Sequence, residues 1–166
     1  MKNLQNKNEF VDGKIFHNKI KNIYKGEYDW AINKRNEEMV KVVYDPAHEN
    51  SKYQDDRKGK GKCFSTWVFT EEKGLEENIF ATSLELLIDT TLEANASIGL
   101  HYHHDTEEIY YIIAGSITMT TVNLAGEELT QELFPGDAHL VKLGQGHYGT
   151  AGKQGVRFIT FAVRKS

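Results

Sequence analysis

The segment Ser97-Ile-Gly-Leu-His-Tyr-His-His-Asp-Thr-Glu-Glu-Ile-Tyr-Tyr-Ile-Ile-Ala-Gly115 reads as the end of one strand, a tight polar corner and a second strand. His101 and His103 are two residues apart, so on a strand both side chains point to the same face. After the corner His104-Asp-Thr-Glu107, Glu108 opens the next strand, and Ile109 to Ala114 is mostly apolar and β-prone until Gly115 ends the run. Two imidazoles and a carboxylate at the mouth of one hairpin can converge on a point, and divalent metals ask for that mixture of donors. The competing reading is an exposed His-rich turn that holds no metal. Counting by two from Glu108 sets Tyr110 and Ile112 on its side of the strand, with Glu107, Ile109 and Tyr111 on the other. Tyr110 is therefore a candidate to contact a substrate or donate a proton; the alternative is a ring that only fills a core. His104, at the corner with odd parity to His103, is expected to face solvent.

A second segment, Gly136-Asp-Ala-His-Leu-Val-Lys-Leu-Gly-Gln-Gly-His147, is a strand between glycine turns that ends in another His. Together the two segments resemble the paired motifs of the cupin superfamily. Its first pattern is Gly, five residues, His-x-His, three or four residues, Glu, six residues, Gly. The chain fits this from His101 to Gly115 and lacks the leading Gly. Its second is Gly, five residues, Pro-x-Gly, two residues, His, three residues, Asn. Gly136, Gly144 and His147 fit, whereas Lys142 replaces the Pro and Ala151 the Asn. The resemblance covers roughly residues 60 to 166. It implies an all-β fold, a cupin-type double-stranded β-helix (jelly-roll barrel), with metal ligands His101, His103, Glu108 and His147. Three neutral imidazoles and one carboxylate leave a divalent ion at a net charge of about +1, with two open positions if it is octahedral. Fe(II) is the favoured ion; Mn, Ni, Cu, Co and Zn suit the same ligands. His139 is a candidate for the pocket, or for a hydrogen bond behind a ligand. The resemblance also implies a homodimer, paired through sheet edges left with open backbone groups.

Around these motifs the rest of the 166 residues supports one domain with an added segment. Residues 1–60 are read as an N-terminal extension of arm and edge strands, partly flexible, and residues 61–166 as the barrel. Asn and Lys dominate the first 22 positions, as in a frayed arm. Strands are expected at Tyr24 to Ile32 and Met39 to Tyr44, the second broken by Asp45-Pro46. His48 to Lys62 is almost wholly polar and ends in Arg57-Lys-Gly-Lys-Gly-Lys62. It is read as a flexible solvated connector in preference to an anion-binding loop. His17 and His48 fall in these polar stretches and are expected to have no specific role.

From Cys63 the signals are mostly β; Glu71–Glu77 reads as a loop or one helical turn, and Ile79–Leu92, whose Ser-Leu-Glu-Leu-Leu-Ile core also fits a helical period, is read as one long strand or two short ones from its β-branched flanks. Strands are expected at Cys63–Thr70, Ile79–Leu92, Ser116–Asn123, Glu127–Phe134, His139–Leu143, His147–Thr150 and Val156–Val163, with turns between them. Cys63 is read as a small strand residue, since no base is recognisable beside it in the sequence.

A net charge of −4 and a pI near 6.0 give no basic field for nucleic acid. No apolar run approaches the ~18 residues of a membrane span, and Met1 to Phe10 lacks the apolar core of a signal peptide. One cysteine excludes an internal disulfide framework, and a soluble, cytoplasmic protein is expected. Three functions remain open. The favoured one is a metal-dependent enzyme on a small organic substrate, a non-haem iron oxygenase of the dioxygenase kind. The second is a non-redox isomerase, epimerase or lyase, in which Tyr110 or His139 transfers a proton. The third is a non-catalytic cupin that binds a small molecule.

Overall fold

The computed structural model describes residues 10–19 and 32–165. In chain order its elements are β1 (Val11–Asp12), α1 (Gly13–Lys19), β2 (Val40–Tyr44), β3 (Cys63–Thr70), β4 (Leu84–Leu92), β5 (Ser97–Tyr102), β6 (Thr106–Val122), β7 (Glu128–Leu133), β8 (Ala138–Val141) and β9 (Gly146–Arg164). The sheet runs β1-β2-β3-β4-β9-β6-β7, with β5 also paired to β9 and β8 to β6. Every pairing is antiparallel except β1 with β2. This is the jelly-roll barrel expected from the motifs, and no helix among the described residues is long and apolar enough to cross a membrane.

The two longest strands close it. Thr106 to Ala114 of β6 pairs with Arg157 to Arg164 of β9, and Ile117 to Val122 pairs with Gly146 to Ala151. Between these halves the register breaks on either side of Gly115, and both strands bend. Gly115 and Gly155 have φ of 75° and 77°, and a Cβ on Gly115 would meet the Gly155 carbonyl oxygen at 2.0 Å. Glycine is required where the two backbones cross. Reading Gly115 as the end of one strand, and a turn between His147–Thr150 and Val156–Val163, is corrected: both glycine sites are bends inside continuous strands. A bulge and a turn use the same residue type, so local sequence does not separate them.

Side chains alternate along β4, every second residue from Leu86 to Leu92 being buried, and the strand starts at Leu84 rather than Ile79. One core cluster gathers Leu92, Ile98, Ile112, Ile117, Val156 and Phe158; the other gathers Phe16, Val42, Trp67, Leu86, Ile88 and Ala162. Phe16 belongs to α1 and is fully buried. Burying a ring of that size stabilises by about 1.5–3 kcal/mol, which holds residues 10–19 on the barrel. Within the described residues, the expectation of a frayed arm is thus replaced by a short strand and an anchored helix. The strand expected at Tyr24 to Ile32 lies outside the described residues except for Ile32, whereas that at Met39 to Tyr44 is β2.

The polar stretch from His48 to Lys62 is also corrected: it is a strap laid along β5. The Gly99 N–H donates to Ala47 O (3.0 Å), Asn50 Nδ2 to Leu100 O (2.9 Å), and Ser97 and Lys60 exchange two backbone bonds. A Cβ on Gly99 would meet the His48 carbonyl oxygen at 2.0 Å, so the strap approaches only because residue 99 is glycine. Two of its cations are matched internally, Arg57 to Asp55 (2.5 Å) and Lys60 to Asp56 (2.7 Å). On another side of the barrel Lys34 pairs with Glu76, both side chains buried, and donates to Val68 O (2.8 Å).

Candidate metal centre

Three strands bring the motif residues together. His101 ends β5, Glu108 lies near the start of β6 and His147 near the start of β9; His103 follows β5 at the corner. The register sets His101 directly opposite His147, and Glu108 opposite Ala162 on the inward face. One donor atom from each of His101, His103, Glu108 and His147 lies within 4.8 Å of the others. The Nε2 atoms of His147 and His101 are 3.0 Å apart, and those of His103 and His147 3.1 Å. Glu108 Oε2 stands 3.5 Å from the Nε2 of both His103 and His147. Around an ion with metal–nitrogen distances of about 2.1 Å, donors at right angles stand about 3.0 Å apart, so this spacing suits neighbouring positions of one coordination sphere.

The outer nitrogens fix the rings. His101 Nδ1 is 2.9 Å from Gly99 O, and a carbonyl only accepts, so its hydrogen is on Nδ1 and Nε2 presents a lone pair inward. His103 Nδ1 meets Thr106 Oγ1 at 3.3 Å, and His147 Nδ1 meets His139 Nε2 at 3.0 Å. Burial, joined by the neighbouring imidazoles, holds His101 and His147 well below the usual histidine range. Burial lowers His103 also, against the pull of Glu108. The rings are neutral at pH 7. Burial pushes the Glu108 carboxyl up, with His103, His48 and the Tyr110 hydroxyl opposing it, and Oε2 has no hydrogen-bond partner. A buried, unmatched carboxylate oxygen facing imidazole nitrogens fits a cation, whose charge would reverse the upward shift. The residues fit a divalent ion.

Strand parity places the neighbours as the sequence predicts. Tyr110 and Ile112 are buried, while Ile109 and Tyr111 are exposed. Tyr110 lines the cavity beside Glu108, and burial first, then Glu108, raises its hydroxyl well above the ordinary range. His139 stands behind His147, bonded to its outer nitrogen, and is not among the cavity-lining residues. It therefore gives His147 a partner where Ala151 replaces the family's Asn. His104 is exposed at the cavity mouth, as expected. Cys63 is buried against Ser65, and burial pushes its thiol up to about 12, which keeps it inert.

Two histidines overlooked in the sequence enter the cavity wall. The His48 ring stacks on His101 at a centroid distance of 3.7 Å and an angle of 6°. His17 Nε2 lies 3.0 Å from the Tyr44 hydroxyl, and both side chains line the cavity. Neither was expected to have a specific role, yet both make defined contacts in the cavity wall; both positions depend on long-range packing that no local pattern encodes. The cavity measures about 490 Å³, within the usual range for small-molecule sites, and is walled by Trp67, Leu86, Ile88 and Phe158 as well as His101, His103 and Glu108.

Three imidazoles and a carboxylate thus converge inside a jelly-roll barrel. Residues 89–161 match the family model of the cupin domain, so this part of the barrel is a cupin domain. A predicted oxalate decarboxylase from Thermotoga maritima is similar at a TM-score of 0.57 and 20% identity, covering 81% of this chain and all of that one. A variant of Bacillus subtilis oxalate decarboxylase is similar at 0.54 and 22%, covering 64% of this chain and 26% of that one. A structure bearing on the Mn(II) centres of the same Bacillus enzyme is similar at 0.53 and 23%. The chain spans about a quarter of the length of the Bacillus enzyme, and at these identities the likeness is one of fold. The curated proteins include no match to this chain.

Proposed function

We propose that this cupin is a metal-dependent enzyme acting on a small organic molecule in the barrel cavity, and that it is a non-haem iron oxygenase. The carrying observation is the unmatched Glu108 Oε2 beside the inward-facing Nε2 atoms of His103 and His147. In this reading His101, His103, Glu108 and His147 hold the ion. A redox-active ion there supplies electron exchange with dioxygen, together with Lewis-acid polarisation of the substrate.

The chain's own residues do the rest. Glu108 brings the only carboxylate of the donor set. Tyr110 keeps its proton, because burial and the neighbouring carboxyl both raise it, and its hydroxyl orients Glu108. Gly99 O, Thr106 Oγ1 and His139 Nε2 hold the three rings by their outer nitrogens. Trp67, Leu86, Ile88 and Phe158 exclude water from the bound molecule and strengthen polar contacts within the cavity.

A second reading, a lyase without net oxidation, draws on the similar oxalate decarboxylases, one of them with Mn(II) centres. Elemental analysis of protein purified without chelator, followed by oxygen uptake with a panel of small hydroxy and dicarboxylic acids, separates the two. Iron with substrate-dependent uptake is expected. Manganese with substrate loss and no net uptake supports the lyase, and protein that neither retains nor rebinds a divalent ion refutes both.

A further inference from the structure

One row of buried residues crosses four adjacent strands along the cavity wall. Tyr110 of β6 lies opposite Thr160 of β9, Thr160 opposite Ile88 of β4, and Ile88 opposite Trp67 of β3. All four line the cavity. Three strand spacings of about 4.8 Å put roughly 14 Å of sheet between Tyr110, which stands beside Glu108, and Trp67. The candidate metal ligands occupy only the first end of this row. At the second end Trp67 meets His17 of α1 and Tyr44 of β2, which line the same cavity. The His17 ring stands edge-on to Trp67 at 5.9 Å between centroids, and its Nε2 is 3.0 Å from the Tyr44 hydroxyl. All three residues lie outside the segment 89–161 that matches the cupin domain.

This group has a surplus of donors. Trp67 Nε1 can only donate, and it is buried without a hydrogen-bond partner, as is His17 Nδ1. When the Tyr44 hydroxyl donates to His17 Nε2, the imidazole hydrogen falls on Nδ1 and a second unmatched N–H stands beside the indole. The group is also uncharged at pH 7. Burial, joined by Lys73, lowers His17 against the pull of Glu72. Burial, joined by Cys63, raises the Tyr44 hydroxyl, and the nearby indole offsets only part of that rise. Lys73, which also lines the cavity, is already matched by Glu72 at 3.4 Å. An acceptor oxygen would satisfy the buried N–H groups, whereas a carboxylate would lose its water there without a spare cation to receive it.

We infer that His17, Tyr44 and Trp67 form a second subsite of the cavity, which takes an uncharged carbonyl oxygen of a molecule whose other end is held at the candidate metal centre. The substrate class is an elongated molecule with a metal-binding oxygen group at one end and a ketone, ester or amide carbonyl at the other, its middle lying against Ile88 and Phe158. A diacid as short as oxalate cannot span the two ends. The inference rests on the metal reading only for the end held near Glu108.

Calorimetric titration of the Zn(II)-loaded protein with 4-oxopentanoate, 5-oxohexanoate and 6-oxoheptanoate tests it. Each keto acid is paired with the branched acid that has a methyl in place of the carbonyl oxygen. It is paired also with the dicarboxylate that has an oxygen in place of the terminal methyl. The best keto acid is expected to bind about 5–10-fold tighter than either of its partners. Trp67→Phe should bring that ratio close to one and His17→Leu should lower it, while the branched acid binds both variants as it binds wild type. Circular dichroism checks that each variant folds, and His17→Leu carries the test if Trp67→Phe does not. In the NMR spectrum of the wild type, the Trp67 indole N–H resonance should move downfield with the keto acid and not with the branched one. Equal binding within the pairs, tighter binding of the dicarboxylates, no keto-acid binding, or a preference unchanged in every folded variant overturns the subsite. Omitting zinc tests the metal reading separately. Binding that persists unchanged without the ion counts against the metal-held end, while the ratio within each pair still decides the subsite.

Discussion

Glu108→Gln has opposite effects on the metal-free and metal-loaded protein. In the metal-free state Glu108 is buried with Oε2 unpartnered, and burial raises its pKa, so at pH 7 the ionised form is held at a disadvantage. An unpaired buried charged group costs about 1–3 kcal/mol or more, and the amide removes the charge while keeping the shape. A chain of this size shifts by about 2–4 °C per kcal/mol, so the chelated variant melts above chelated wild type by roughly 2–12 °C. In the loaded state the variant lacks the only negative donor. If its affinity falls ~100-fold, stabilisation at a fixed saturating metal concentration falls by about 2.7 kcal/mol. Scanning calorimetry of both proteins with EDTA and with excess Mn(II) reads both effects, and the order of melting temperatures should reverse between the two buffers. Glu107→Gln, in register with Val163 on the outer face, should change neither. A Glu108→Gln protein that melts lower in EDTA, yet gains as much from metal as wild type, would refute the assignment of Glu108 to the site.

Lys34→Met strands Glu76 in the core and should destabilise by about 3–5 kcal/mol in urea titration, with Lys34→Met/Glu76→Leu recovering most of it. Gly115→Ala places a Cβ 2.0 Å from Gly155 O at positive φ; a loss of about 3 kcal/mol or more, or no soluble protein, is expected. The stability of the metal-free protein should fall with acid, because burial holds His139 down to about 4 against 6.5 in the unfolded chain. Its neutral form therefore contributes fully above pH 6.5 and loses on the order of 3 kcal/mol as pH falls to 4, a slope that His139→Phe should reduce in urea titrations at stepped pH. His48→Ala should weaken metal binding several-fold in a chelator competition and His48→Phe should not, since the phenyl ring can still stack on His101.

What was legible in the sequence was whatever rests on local period and fixed spacing. The parity that buries Tyr110 and exposes Tyr111 follows from a two-residue repeat, as does the shared face of His101 and His103. His147 entered the set only through the resemblance to the cupin motifs, and the register of β5 with β9 sets it opposite His101. What escaped depends on contacts between distant segments. His48 stacks on His101 because backbone groups of the strap pair with β5, and peptide groups leave no mark in side-chain pattern. Phe16 was one aromatic residue in a polar arm until the barrel supplied a hole for it. The bends at Gly115 and Gly155 resembled turns because glycine serves both, and only the partner strand reveals which is present.

Because β6 and β9 each run through both halves of the barrel, neither half is a folding unit by itself. Their ladder joins Val122 to Gly146 at one end and Thr106 to Arg164 at the other, so the widest loop closures complete the sheet. Such a topology folds slowly and in one cooperative step, its rate limited by chain closure rather than by strand propensity. The candidate ligands sit on β5, β6 and β9 and meet only once that ladder exists. Metal should therefore leave the refolding rate nearly unchanged and act almost wholly by slowing unfolding, prolonging the life of the native barrel rather than hastening its birth.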